Sequence, residues 1–503
     1  MKATYFAACV FLFSLFDAQA NSQILPAEND TLNYRLIGFS VPSTTKAISY
    51  KLEIALGRIN NQHDFEKNII YTATEKDNRI IAVVPEFGKE YTWQISSRKR
   101  NGKVKGKSPL YHFYTGADVH VDTSKYRVKV LTNNIKDKKL FVFIDYLGAL
   151  YDLDGRPLWY LPRTVDSLPF ETVRDLKLTP QGTLTFLQNA GNINAYEVDY
   201  DGSVLWKAPN DGRISNDTSE FYHHEFTRLA NGHYLIAGRE DFSIEIQNDN
   251  KKNSSGRKNE RLIFEKNGKF YRQATFPTLI EYDSAGHIAW SWKFSNYFTR
   301  NGLMLPLDSI DEQYHSSHLN SFECDETNKV IYLSLRNLNS IWKISYPGGE
   351  VIAKYDAPKV SGDILYRAQH SVRLSGDGNL LMYNNNSERH NRNETGSSFV
   401  TIIKEPVTAN MPYLIWTFPC DIDTLARHQT ATGGSVAELT DRSILVSMGS
   451  ANRHFIVNRE KEVLWNAITE MNNGAGQWVP FGSYRNAPVE GVDQIERMIF
   501  RTK

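Results

Sequence analysis

One short pattern recurs along most of this chain and limits the folds open to it. An aliphatic strand ending in Asp or Asn leads through a turn into another strand, which usually carries tryptophan. The pattern occurs six times, at Leu150–Trp159, Tyr196–Trp206, Ile280–Trp290, Ile341–Ile352, near Tyr413–Trp416 and at Phe455–Trp465. Units of about 40 to 75 residues with four strands each are typical of propeller blades. The count therefore predicts a six-bladed β-propeller.

The rest of the chain fits an all-β protein with two domains. A chain of 503 residues exceeds the usual size of a single domain. Residues 21–118 read as six or seven short alternating strands separated by polar turns, which favours a small β-sandwich of immunoglobulin or fibronectin type III character. The propeller is expected to span residues 125–503. The segment 477–503 is expected to close the ring, through a strand that the sequence does not identify.

The first twenty residues have the layout of a signal peptide. Lys2 precedes an apolar run from Ala3 to Phe16, and Ala18 and Ala20 form a small-residue cleavage site. The sequence therefore predicts export, with the periplasm of a Gram-negative bacterium as the expected location and secretion as the alternative. No later stretch approaches the roughly 20 apolar residues of a spanning helix, so no membrane insertion is expected. A formal net charge of +1 gives no basic excess for nucleic acid.

Two cysteines remain after the predicted cleavage site, Cys324 and Cys420. An oxidising compartment permits them to pair, and their spacing matches no metal motif. Because Cα separation decides whether a bridge forms, the sequence leaves both the bridged and the free state open.

Three histidines occupy similar positions in successive units. His224, His318 and His370 each come shortly before a turn, in the strand that opens units three, four and five. In a propeller these opening strands line the central channel in parallel, so the three imidazoles are expected to meet at one mouth. Side-chain alternation adds Asn320, and the returning strand adds Arg336. Unit six is expected to bring Thr430, Thr432 and Ser435 to that level, whereas His223, His315 and His428 fall outside the register and are interpreted as structural.

This set of residue types favours an anion over a metal ion. A guanidinium binds oxyanions in its planar fork and repels cations. Three histidines also make a zinc site, but Glu225 alternates away from His224, and no acidic neighbour accompanies the other two. An oxyanion site with a nucleophilic histidine fits best. No metal and no cofactor are predicted. A propeller that only binds a sulfated or acidic ligand, a metal-dependent hydrolase and a quinone-cofactor propeller remain alternatives.

The ordered motifs resemble a known family. His318-Leu-Asn320 is followed by Tyr332 to Ile344 with Arg336, and the set is completed by His223-His224, Gln369-His370 and Gly433-Gly-Ser-Val. Over about residues 125 to 470 this set is similar to the bacterial arylsulfate sulfotransferases, which work without the nucleotide sulfate donor. This chain departs from the family in its cysteines. The family commonly has a close cysteine pair, whereas Cys324 and Cys420 are far apart in the sequence.

The resemblance implies an activity and a role for each residue. The family moves a sulfuryl group from a phenolic sulfate ester to a phenol, in ping-pong fashion through a sulfohistidine, and often as a homodimer. The implied substrates are small molecules. The resemblance makes His370 the nucleophile, with His224, His318 and Arg336 as further catalytic residues and Asn320 binding the substrate. The phenol oxygen is expected to exchange its proton with His224 or His318, acting as acid and then as base.

Overall fold

The computed structural model of the protein is built almost entirely of β-strands, which confirms the predicted all-β class. It describes residues 23–44, 47–116, 119, 121–136, 139–163, 172–189, 194–246, 263–301, 303–357, 359–360, 363–387, 396–405, 412–427 and 432–501. Two units are distinguished, one made of residues up to Thr31 with Ile37–Thr115, the other of Leu32–Leu36 with Gly116–Lys503. The signal-peptide prediction for residues 1–20 lies outside the described residues.

Two antiparallel sheets make up the described part of the first unit. The larger consists, in spatial order, of Asp30–Leu32, Tyr111–Thr115, Lys89–Arg98, Ser49–Leu56 and Ile69–Glu75, with Val104–Lys107 also paired to Lys89–Arg98. The smaller pairs Leu36–Ser40 with Arg79–Val83, and one helix spans Gln62–Lys67. Phe39 of the smaller sheet meets Trp93 of the larger one with ring centroids 5.3 Å apart. Both rings are fully buried, so the two sheets share an aromatic core.

The second unit contains six principal sheets within the described residues, each built on four strands, and in all but the first sheet these four strands are paired in the order of the sequence. The first sheet consists of Asn486–Glu490, Leu140–Ile144, Ala149–Asp152 and Pro157–Tyr160. The second consists of Thr172–Leu178, Leu184–Asn189, Asn194–Val198 and Val204–Lys207. The third consists of Phe226–Arg228, Tyr234–Ile246, Lys269–Tyr282 and Ile288–Lys293, with Ile263–Lys266 added beside Lys269–Tyr282.

The remaining three sheets repeat this order. The fourth consists of Leu319–Asp325, Val330–Leu335, Ser340–Ser345 and Val351–Asp356. The fifth consists of His370–Leu374, Leu380–Asn384, Phe399–Ile403 and Leu414–Pro419. The sixth consists of Ser435–Glu438, Ile444–Ser447, Arg453–Val457 and Val463–Asn472, with Trp478–Pro480 and Tyr126–Asn133 paired to the last of these. A helix at Val492–Ile499 follows and buries Ile495 and Met498.

Hydrophobic cores lie between consecutive sheets. One core joins Leu235 and Phe276 of the third sheet to Phe322 and Leu333 of the fourth. Equivalent cores join the second sheet to the third, the fourth to the fifth and the fifth to the sixth. The third, fourth and fifth sheets thus bury both faces against their neighbours, and their inner strands, such as Val330–Leu335 and Leu380–Asn384, are fully buried.

The recurring tryptophans connect one sheet to the next. The indole Nε1 of Trp159, in the outer strand of the first sheet, donates to the Tyr200 carbonyl at 2.6 Å, in the turn after the third strand of the second sheet. Outer-strand tryptophans of the third, fifth and sixth sheets make the same contact with the following sheet: Trp290 to Pro347, Trp416 to Arg459, and Trp465 to Leu153. The last of these contacts joins the sixth sheet back to the first, so the sheets form a closed series.

The strand that completes the first sheet comes from the far end of the sequence. Asn486–Glu490 pairs antiparallel with Leu140–Ile144, and Phe143 lies opposite Ala487. The predicted closing segment 477–503 therefore supplies the innermost strand of the first sheet.

Cys324 and Cys420 are free thiols. Cys420 is fully buried in the core between the fifth and sixth sheets, whereas Cys324 packs against the core between the third and fourth. Burial raises the pKa of the Cys324 thiol to about 12, so it stays protonated at neutral pH. Of the two states that the sequence leaves open, the structure has the free one.

Candidate active site

The three predicted histidines lie at the beginnings of the innermost strands. His224 comes two residues before Phe226–Arg228, His318 directly precedes Leu319–Asp325, and His370 is the first residue of its strand. His224 and His318 have positive φ angles of 64° and 56°, a conformation that costs a non-glycine residue on the order of 1–3 kcal/mol. The ring centroids of His224 and His318 are 4.9 Å apart.

Tyr484 lies between these histidines. Its ring centroid is 5.5 Å from that of His224 and 6.3 Å from that of His370. Tyr484 thus lies against the imidazoles of His224 and His370, and it precedes the closing strand Asn486–Glu490. Burial raises the pKa of Tyr484, so its hydroxyl is neutral at physiological pH. That hydroxyl is buried and has no hydrogen-bond partner among the described residues.

Two acceptors fix the tautomer of His370. Its Nδ1 lies 2.9 Å from the Ala368 carbonyl and 2.6 Å from the Asn385 Oδ1. The Asn385 amide nitrogen donates to the Gly433 carbonyl at 2.9 Å, which orients the amide oxygen toward the imidazole. A nitrogen between two acceptors must carry the proton. The Nε2 of neutral His370 therefore has the lone pair.

The environment also keeps His370 neutral. Its side chain is buried, with 2% exposed. Burial and the positive charge of Arg336 lower the pKa of His370 to about 3, because both disfavour a second positive charge. The imidazole is thus unprotonated at Nε2 across the physiological pH range.

His224 is held by its neighbour His223. The two Nδ1 atoms are 2.8 Å apart, and the His223 Nε2 lies 3.1 Å from the Gly238 carbonyl. Since that carbonyl requires a proton on the His223 Nε2, neutral His223 accepts at Nδ1 and His224 donates from Nδ1. Burial and the neighbouring His223 hold the pKa of His224 well below its ordinary value, so its Nε2 is an unprotonated base. His223 was expected to fall outside the register, but the backbone turn at His224 brings the two rings into contact.

Arg336 lies beside two of the histidines. Its backbone N–H donates to the His318 carbonyl at 3.0 Å, and its guanidinium donates to the Asn337 Oδ1 at 3.0 Å. Asn320 is fully buried and donates from Nδ2 to the Gln369 carbonyl at 2.7 Å. The asparagine thereby links the His318 strand to the residue before His370.

A buried ion network adjoins the site. The Arg485 Nη1 lies 2.7 Å from both the Asp175 Oδ1 and the Glu225 Oε2, and its Nη2 donates to the Asn320 carbonyl at 2.7 Å. Glu225 also binds Arg373 at 2.8 Å and Lys177 at 2.5 Å. Burial by itself raises the pKa of Glu225, but Arg373, Arg485 and Lys177 outweigh burial and hold it below its usual range. Glu225 is ionised and faces cations, as its predicted alternation away from His224 requires.

The predicted hydroxyls of the sixth unit are not close to the histidines through any described contact. Ser435 bonds Asn486, and Thr432 contacts Ser450. Thr430 and His428 lie outside the described residues. The contribution of this segment is instead the Gly433 carbonyl, which holds Asn385. His315 is buried and contacts the Leu307 carbonyl at 3.0 Å, in keeping with its structural interpretation.

A cavity of about 260 Å³ opens beside the histidines. Its lining consists of Arg174, Phe221, His223, His224, Arg239, Thr275, Pro277, His318 and Leu319. We call it the arginine-lined cavity. A larger cavity of about 670 Å³ is lined by the ion network and by strand turns, and its lining includes Ser435 but none of His224, His318, Asn320, Arg336 and His370. Size therefore does not identify the site, whereas the converging imidazoles do.

Neither a metal centre nor a membrane helix is found in the described part of the chain. No group of three or more His, Cys, Asp or Glu side chains there is arranged to hold a metal ion. No helix among those residues is long and apolar enough to cross a membrane.

The chain was compared with known families and structures. The arylsulfotransferase (ASST) family model matches residues 122–405, and no curated protein matches. Among solved structures, virginiamycin B lyase from Staphylococcus aureus is 12% identical with a TM-score of 0.34, covering 67% of this chain and 87% of that one. The periplasmic gluconolactonase PpgL of Pseudomonas aeruginosa is 12% identical with a TM-score of 0.33, covering 88% and 99%. A Bacteroides caccae protein of unknown function is 11% identical with a TM-score of 0.39, covering 69% and 97%.

Proposed function

The chain belongs to the arylsulfotransferase family, whose model matches more than half of its length, and from this premise we propose that it transfers the sulfuryl group through a sulfohistidine on His370. The resemblance predicted from the sequence is confirmed. The protein is an aryl sulfotransferase that acts on a small-molecule aryl sulfate donor and a phenol acceptor. The ping-pong order and the role of each residue are our proposal.

The observation that carries the proposal is the tautomer of His370. In the first half-reaction its Nε2 lone pair forms a bond to sulfur, the bond between sulfur and the aryl oxygen breaks, and the aryl oxygen leaves as phenoxide. The ring becomes positively charged as the bond forms. Its Nδ1 proton then faces the Ala368 carbonyl and the Asn385 Oδ1, two dipoles oriented to stabilise that charge.

The sulfuryl oxygens require positive groups around them during transfer. Arg336 is close enough to His370 to lower its pKa, and its guanidinium is a suitable partner for an oxyanion. His318 shares a backbone hydrogen bond with Arg336 and adds a polar ring. One preorganised donor of this kind typically lowers the barrier by about 2.7–4 kcal/mol.

The second half-reaction needs a base, and His224 suits that step. Its Nδ1 proton is engaged by His223, which leaves Nε2 to accept the proton of the attacking phenol. The phenol oxygen then bonds to sulfur, and the electrons of the nitrogen–sulfur bond return to the His370 Nε2. Because the pKa of His224 lies well below its ordinary value, the base half of its predicted role is favoured over the acid half. The donor's phenoxide is then expected to leave without a proton from His224.

We further infer that the six sheets are the blades of one propeller. The four tryptophan hydrogen bonds and the cores between consecutive sheets support this arrangement. The immunoglobulin-like character of the first unit, the domain limits 21–118 and 125–503, export to the periplasm and a homodimer remain proposals that rest on the sequence.

The direct test is to trap the intermediate. Incubation with p-nitrophenyl sulfate and no acceptor should add the mass of one SO₃ group to the peptide that contains His370. The modified protein should lose this mass when phenol is added, and phenyl sulfate should appear. Mass spectrometry of the digested protein measures both steps. An adduct on a different residue, or release of p-nitrophenol with no adduct and no burst, would contradict the proposal.

The pH profile gives a second test. The pKa of His370 is lowered to about 3, whereas an ordinary histidine has a pKa of about 6.5. The nucleophile therefore remains neutral at pH values where an ordinary histidine becomes protonated. We expect kcat/KM for the donor to stay level from about pH 8 to pH 5, since this parameter reports ionisations of the free enzyme. Circular dichroism at each pH serves as the control for folding.

A matched variant sharpens this test. Asn385→Asp places a carboxylate next to the His370 Nδ1 and favours the protonated ring, so the pKa of His370 should rise by about 1–3 units. The decline of kcat/KM at acidic pH should then occur at a higher pH than in the wild type. The difference in kcat/KM between the variant and the wild type should be smallest at high pH. A wild-type decline centred near pH 6.5, or identical profiles for both proteins, would argue against a neutral His370 held by Asn385.

A further inference from the structure

The arginine-lined cavity contains two guanidinium groups to which the proposed transfer assigns no role. Arg174 reaches it from the second sheet and Arg239 from the third, and no carboxylate belongs to its described lining. His370 and Arg336, which are proposed to handle the sulfuryl group, are not among the lining residues. The two guanidinium groups therefore lie in a space next to the reacting centre.

Arg174 has no carboxylate partner among the described residues, although it is half-buried. Its guanidinium carbon lies 5.1 Å from the ring centroid of Tyr484 and 5.8 Å from that of Tyr146, and its Nε is buried without a hydrogen-bond acceptor in the described structure. The two π faces and a side-chain hydrogen bond with Tyr146 compensate only part of the cost of removing a guanidinium from water. An anion in the cavity would supply the missing partner.

Arg239 is positioned by an aromatic ring. Its guanidinium carbon lies 3.6 Å from the ring centroid of Phe221, and its Nε is 3.3 Å from the Asp241 Oδ2. One carboxylate thus neutralises one of the two guanidinium groups of the cavity. The positive charge of Arg174 has no carboxylate counterpart among the described residues. His223 and His224 add no charge of their own, because burial and the two arginines lower the pKa of His223 to about 3 and burial and His223 lower that of His224.

The remaining walls suit an aromatic ring. Phe221, Pro277 and Leu319 are apolar, and His224 and His318 connect the cavity to the proposed transfer site. Its volume of about 260 Å³ lies just below the roughly 300–1,000 Å³ of pockets for drug-sized ligands. A single-ring phenol therefore matches the space better than a larger polycyclic compound.

We propose that the arginine-lined cavity holds the aryl part of a substrate with a second anionic group, a carboxylate or a further sulfate, and that Arg174 and Arg239 bind that group. This inference rests on the proposed function, because it takes His370 as the point of transfer. It predicts that the enzyme selects phenols of the hydroxybenzoate type over neutral phenols.

The test compares two donors that differ in charge and little in shape, p-carboxyphenyl sulfate and p-carbamoylphenyl sulfate, together with their meta isomers. Arg174→Gln and Arg239→Gln should each lower kcat/KM for a carboxylated donor by about tenfold to a hundredfold, as expected for the loss of a charge-assisted hydrogen bond. For the carbamoyl donors the change should stay within about threefold. Arg156→Gln, which removes an exposed arginine of the first sheet, is the matched control and should change neither rate.

Equal losses for both kinds of donor would overturn the inference, because the arginines would then serve the sulfuryl group or the fold. Unchanged rates for all donors would also overturn it. If wild-type protein turned over neither ester, the proposed function would fail, and calorimetry with p-hydroxybenzoate and p-hydroxybenzamide would decide this inference separately. Tighter binding of the carboxylate that disappears in both glutamine variants supports the cavity assignment, whereas equal binding of the two compounds overturns it.

Discussion

Replacement of His370 by alanine is expected to lower kcat for sulfuryl transfer by about 10⁴-fold or more, in the range seen when an enzyme loses its nucleophile. The variant has no lone pair at the position where the nitrogen–sulfur bond forms. Binding of the donor by Arg336 and the other histidines should persist, so the effect should fall on kcat far more than on KM. Stopped-flow measurement of p-nitrophenol release would show the loss of the first burst.

The fold should survive this change, because the His370 ring makes two hydrogen bonds and both involve the loops around its strand. His454 provides the matched control. It is a fully buried histidine in the sixth sheet whose pKa is likewise lowered by burial to about 3. His454→Ala should lose comparable stability and keep its kcat, measured at a temperature where both variants are folded. Residual activity of His370→Ala within tenfold of wild type would assign the nucleophile elsewhere.

Replacement of Arg485 by methionine is expected to have the largest effect on stability. The change removes the partner of Asp175 and Glu225 in a buried setting and leaves the Asn320 carbonyl without its donor. Breaking a buried pair in this way typically costs about 3–5 kcal/mol, because the remaining charge stays buried. The free energy of unfolding, measured with denaturant, should fall by that amount.

Two controls separate this loss from a general effect of losing an arginine. Arg156→Met removes an exposed ion pair with Asp154 and should cost no more than about 1 kcal/mol. The double variant Arg485→Met with Glu225→Gln should be less destabilised than the sum of its single changes, since the two side chains share one interaction. Additive losses, or a cost for Arg485→Met no greater than that of Arg156→Met, would show that the network contributes little.

Much of the architecture could be predicted because its signals are local. Strand alternation and turn residues act over a few positions, and they indicate an all-β protein. The tryptophans that mark the repeat, such as Trp159 and Trp465, are found in outer strands, where their indoles reach a neighbouring sheet. The strand Asn486–Glu490 could not be assigned, because its partner Leu140–Ile144 lies far away in sequence and only the closed structure pairs them.

Part of the site could also be predicted from local sequence signals. The spacing of His224, His318 and His370 places each at the start of an innermost strand, and this relation is visible in the sequence. Alternation could not reveal that His224 and His318 have left-handed backbones. Such a residue breaks the period of two, which is why His223 was excluded although its ring contacts His224.

Tyr484 and Arg485 were missed because no motif surrounds them. Their position could have assigned them to the site, because they precede an innermost strand just as His224 precedes Phe226–Arg228. That comparison requires knowing that the strand exists. Asn385 was missed for a different reason: it follows a second strand, and only the contacts with His370 and Gly433 reveal its role.

The closing segment also decides whether the site is complete. Tyr484 and Arg485 follow His224, His318 and His370 in the sequence. Tyr484 lies against the rings of His224 and His370, and Arg485 neutralises Asp175 and Glu225. We expect a chain truncated before Tyr484 to carry every proposed sulfuryl-binding residue and yet to be inactive, because it lacks these contacts.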